Sequence, residues 1–64
     1  MSQAEDLERK ITVAISKIKK GTTTPAESNA GTFFKYLKPL DEALYEKLMS
    51  EYKSALSIYK KNNP

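Results

Sequence analysis

Ala4, Leu7, Ile11, Ala14 and Ile18 recur at alternating spacings of three and four residues. That spacing lines one face of an α-helix with apolar side chains, whereas a strand would need alternation at every second position. A helix of this kind draws most of its stability from burying its stripe, so the rest of the chain has to supply a cover. Ile15 widens the stripe. The boundaries agree with the pattern. Ser2 and Glu5 make an S-x-x-E capping box, in which side chains satisfy N–H groups that the first turn leaves unpaired. Lys17, Lys19 and Lys20 occupy the last turn, where cations oppose the helix dipole, and Gly21 suits the left-handed position that ends a helix. The spacing predicts a helix over about 3–20.

The cover has to come from two further helical segments. Thr24, Pro25 and Glu27 form a second capping box with proline at the first helical position, where its missing N–H costs least. The stripe that follows is Ala26, Ala30, Phe33, Leu37 and Leu40, and Pro39 disfavours the α conformation at Lys38. A helix over about 25–38 is expected, with a break near "SNAG" and Thr32 as a fresh cap as the alternative. The third segment opens with Asp41 and Glu42 in its first turn, and Leu40 and Tyr45 stand at the positions of a hydrophobic staple. Its apolar arc includes Leu44, Leu48, Tyr52, Ala55, Leu56 and Tyr59, and Lys60 and Lys61 close it before a frayed "NNP". That predicts a helix over about 41–61. Short connections make neighbouring helices antiparallel, so the expected fold is all-α: a small up-down-up three-helix bundle, residues 1–64 forming one domain. Helix one also keeps the register of a coiled-coil seam, which makes self-association into a homodimer a further class.

Composition limits the chemistry. The chain of 64 residues has no cysteine and no histidine, which removes disulfides and conventional zinc sites as staples. No metal or other cofactor is expected. Catalysis is not expected either: there is no tryptophan, no glycine-rich phosphate loop and no carboxylate on an apolar face where burial could tune it. No apolar run approaches the roughly 18 residues that suggest a membrane span. The acidic start "MSQAEDLERK" is unlike a signal peptide. The expected compartment is intracellular, cytoplasmic or nuclear.

The stretch "TFFKYLKPL" holds three of the six aromatic residues. On a continuous helix Phe33, Leu37, Ala30, Ala26 and Leu40 lie within about 40° of one direction, Phe34 roughly 70° to one side and Tyr36 roughly 90° to the other. Phe33 and Leu37 are therefore expected in the core and Phe34 at a helix edge, with a partner-facing role as its other reading. Tyr36 is the most exposed of the group. Tyr45, Tyr52 and Tyr59 repeat every seven residues and read as rings on the core with hydroxyls in water. Val13 and Ile58 fall outside the core arcs, and would matter only beside Tyr36 or Phe34.

Charge is distributed unevenly along this topology. The C-terminal turns of helices one and three share a pole, which gathers Lys17, Lys19, Lys20, Lys60 and Lys61, while Glu5, Asp6, Glu8, Asp41, Glu42 and Glu46 collect at the other. A net charge of +3 thus hides a larger separation, though each helix also merely complements its own dipole this way. The expected function is a small non-enzymatic module that binds another protein in an adaptor or regulatory role. Phe34 and Tyr36 are the expected apolar contacts, and the lysine pole sets orientation and association rate. The alternative is accessory, non-sequence-specific nucleic-acid binding through Lys17, Lys19, Lys20, Lys60 and Lys61. Arg9 is the only arginine, and arginine makes the commonest specific base contact, so base-specific reading is disfavoured.

Overall fold

The computed structural model describes residues 2–62. They form three helices, α1 (Gln3–Lys20), α2 (Ala30–Leu37) and α3 (Glu42–Asn62), with no strand among the described residues. Every pair of helices is in contact, and the up-down-up bundle measures 36 × 17 × 14 Å. Of the "NNP" end, Asn62 belongs to α3, while Asn63 and Pro64 lie outside the described residues.

The ends of α1 are where the sequence puts them. The Glu5 N–H donates to Ser2 Oγ at 3.2 Å. Gly21 takes φ 76°, and its N–H donates to the Ile18 carbonyl at 3.1 Å while that of Thr22 reaches the Lys17 carbonyl at 3.0 Å. This pair of bonds is a Schellman motif, which satisfies carbonyls that the last turn would leave open. The Thr22 hydroxyl also donates to the Lys17 carbonyl.

The second helix departs from expectation. It begins at Ala30, not at 25. The Thr24 cap does form, its Oγ1 accepting from the Glu27 N–H and donating to Glu27 Oε1, both at 3.1 Å. One turn follows, closed by the Ser28 N–H on the Thr24 carbonyl at 3.0 Å. Then the Ser28 hydroxyl takes the Pro25 carbonyl at 2.7 Å and itself accepts from the Ala30 N–H. Short polar side chains compete in this way with the helical ladder. Asn29 turns to the left-handed region, φ 60°, which asparagine tolerates better than most residues. The break therefore sits at Ser28–Asn29, and Asn29, not Thr32, is the N-cap residue.

The exit from α2 also works differently. Lys38 stays in the right-handed α region (φ −50°, ψ −49°) and its N–H reaches the Phe34 carbonyl. The helix stops because Pro39 has no N–H to continue it. The N–H groups of Leu40 and Asp41 both fold back onto the Leu37 carbonyl at 2.9 Å. Asp41 then caps α3, its Oδ1 accepting from the Leu44 N–H at 3.1 Å, so it precedes the first turn instead of lying within it.

The core is assembled from the stripe of α1 (Ile11, Ala14, Ile15, Ile18), three residues of α2 (Ala30, Phe34, Leu37) and two of α3 (Leu48, Ala55). Ala4, Leu7 and the three tyrosines of α3 pack against it half-buried. Phe34 is only 3% exposed, and its ring meets those of Tyr45 and Tyr52 edge-on at 5.6 and 5.3 Å. Such pairs add about 0.5–1.5 kcal/mol beyond area burial. Phe33 is half-buried, with Lys10 Nζ 5.8 Å from its ring centre. The expected roles of the two phenylalanines are thus exchanged. Ala26 and Leu40, assigned to the same buried stripe, are exposed.

Candidate interaction surface

Beside its buried stripe, α1 carries a second line of residues: Asp6, Lys10, Val13 and Lys17, again spaced by four, three and four. These four directions fall within about 60° of one another, so they form one face running the length of the helix. Because α2 returns antiparallel to α1, its C-terminal turn and the Pro39–Leu40 exit come back against the first half of that face. A groove of about 410 Å³ results, lined by Gln3, Asp6, Leu7, Lys10, Tyr36, Pro39 and Leu40. The connection between α1 and α2 lies against the second half. It encloses a second groove of about 370 Å³, lined by Lys10, Val13, Ala14, Lys17, Thr22, Thr23, Glu27 and Ser28. Lys10 lines both, so the grooves form one seam.

Among the described residues, the large exposed apolar side chains concentrate here. Tyr36 is 59%, Leu40 48%, Val13 47% and Ile58 39% exposed. The first three line the seam, and only Ile58 stands elsewhere, on α3. Single exposed apolar residues are ordinary on any protein. Three of four along one seam are a more specific arrangement, since contiguous apolar patches mark interaction sites. Tyr36 points outward because Phe34 and Leu37 on either side of it take the buried directions of α2. Leu40 is exposed because the turn at Lys38–Leu40 carries it off the helical path. Lys10, over Phe33, divides the seam between its two apolar halves.

The expected site residues thus separate. Tyr36 lies on the seam. Phe34 does not; burial against Tyr45 and Tyr52 leaves it no face for a partner. Lys19 and Lys20 close α1, Lys60 and Lys61 close α3, and all four are exposed, as is Lys17. The up-down-up topology puts those two final turns at the same end of the bundle. Lys17 belongs to both features, since it also lines the second groove.

Leu40, Asp6 and Lys10 are seam residues that the periodicity did not single out. The spacing puts Leu40 on the buried stripe although it lies beyond the expected helix end at 38, and the turn at Lys38–Leu40 carries it outward. Asp6 and Lys10 read as ordinary surface charges until α2 is placed beside them. Among the described residues no group of three metal-ligating side chains is clustered, and no helix is long and apolar enough to cross a membrane. Compared with protein-family models, with curated proteins and with solved structures, the chain matches none.

Proposed function

We propose that the chain is a small non-catalytic interaction module that binds a protein partner along the α1–α2 seam. The observation that carries this reading is the collection of Val13, Tyr36 and Leu40 on one seam flanked by Asp6, Lys10 and Lys17. Apolar side chains flanked by charged ones are a usual feature of protein interfaces, and an exposed tyrosine is a typical anchor. Tyr36→Ala is expected to weaken partner capture about tenfold or more. Because the ring is mostly in water, the substitution should move folding stability by no more than about 0.5 kcal/mol. Quantitative pull-down beside a urea melt separates the two effects. Capture that Tyr36→Ala and Leu40→Ala both leave intact removes the seam from the account.

A second reading rests on the lysine end. Five exposed lysines at one end of a chain whose net charge is +3 leave −2 for everything else, a separation suited to docking phosphates without reading bases. If nucleic acid binds there, Lys19→Gln with Lys20→Gln should reduce the log–log salt slope by about 2, one counterion per lost contact. A slope unchanged in fluorescence anisotropy titrations counts against that use of the lysines.

A further inference from the structure

We infer that the partner which the seam is built to receive is a second copy of this chain, docked antiparallel along α1 about a two-fold axis. This rests on the seam being an interface at all, and it adds what occupies it.

The argument is one of self-complementarity. An interface between identical copies related by a two-fold axis must match its own surface read in reverse. Asp6 and Lys17, and likewise Lys10 and Val13, are equidistant from the point between Ile11 and Thr12. Laying a second α1 antiparallel across that point sets Asp6 of each copy opposite Lys17 of the other. Two ion pairs result, about 16 Å apart along the helix. It also lays the aliphatic stem of each Lys10 along the Val13 of the other copy. Tyr36 and Leu40, which flank the Asp6–Lys10 half of the seam, then meet the Val13–Lys17 half of the other copy. The apolar residues of each half so cover those of the opposite half. A parallel arrangement in the same register would instead set Asp6 against Asp6 and Lys17 against Lys17.

Two further observations favour this occupant. Asp6, Lys10, Lys17 and Glu27 sum to zero charge on the seam, so it holds no net field that would select a strongly charged partner. Only nine apolar residues are buried among the described residues, the chain has no cysteine, and small domains without staples commonly gain stability by association.

The test is sedimentation equilibrium of the full chain over a wide concentration range, at low and moderate salt. A concentration-dependent monomer–dimer mass is expected. Asp6→Lys or Lys17→Glu alone sets two like-charge contacts in place of two ion pairs, and should raise the dimer dissociation constant about tenfold. The double variant Asp6→Lys/Lys17→Glu restores both pairs with their signs reversed and should return the constant to within about twofold. Only an interface of the chain with itself is repaired by exchanging charges within one chain. Val13→Lys, at an exposed position that leaves the core intact, sets a second ammonium against Lys10 of the other copy and should abolish the dimer with helical circular dichroism unchanged. A monomer at every concentration overturns the proposal, as does a dimer indifferent to the single reversals, or a double variant as weak as either single. In each of those cases the Tyr36→Ala capture experiment still decides whether a foreign protein uses the seam.

Discussion

Phe34→Ala is expected to cost about 3–5 kcal/mol, the usual range for emptying a buried aromatic site. A chain of this length has a total stability of only about 3–10 kcal/mol. The variant should therefore lose roughly a third or more of its stability, and at the low end of that range it unfolds at room temperature. Three things are lost together: a side chain only 3% exposed, and its edge-on contacts with Tyr45 and Tyr52. The neighbouring substitution provides the control. Phe33 is half-buried beneath Lys10, so Phe33→Ala should cost only about 1 kcal/mol from partial burial and a surface cation–π contact. Urea melts followed by circular dichroism would compare the midpoints directly. A larger loss at Phe33 than at Phe34 would mean that α2 is rotated from the orientation described.

Ala55→Leu should be the most damaging enlargement. Ala55 has no exposed surface and packs in the core with Ile11, Ile15 and Ile18. Added methylenes there must push helices apart or force strained rotamers, at about 1–3 kcal/mol. Ala43, the second residue of the same helix, is exposed, and Ala43→Leu should be neutral within about 0.5 kcal/mol. The pair separates crowding from any general effect of leucine in α3. Thermal melts of the two variants give the comparison, and equal melting temperatures would show that Ala55 is not a point of close approach.

What could be read from the sequence follows how local its cause is. The limits of α1 were legible because Ser2, the final lysines and Gly21 act within a turn of where they stand. Its core face was legible because five apolar residues share one uninterrupted period. The α2 region failed for the complementary reason. Pro25 and the capping box correctly start a turn, and the spacing of Ala26 and Ala30 matches its continuation. Which of the Ser28 hydroxyl and the backbone ladder takes the Pro25 carbonyl is a close contest that periodicity does not weigh. Once the turn breaks at Asn29, angles counted from residue 25 no longer apply, and Phe33 and Phe34 exchange places. The seam was legible only in fragments. Tyr36 and Val13 were visible as apolar residues off their stripes, but their adjacency depends on how α2 returns along α1. The five lysines were visible in full, because last-turn positions need only helix boundaries.

The left-handed residue at position 29 behaves like a swivel between two shafts. It passes on the direction of the chain from the Thr24–Ser28 turn, but the rotation of α2 about its own axis is not inherited from anything upstream. That rotation is set by Ala30, Phe34 and Leu37 finding the core. The nine residues between Lys20 and Ala30 are therefore a length that can drift. Gaining or losing a residue there would leave the same side of α2 inward, where an unbroken helix would have turned Phe34 out by about 100°. In related chains, variation in length should collect in this connection, while the four-residue link between α2 and α3, bonded twice to the Leu37 carbonyl, keeps its count.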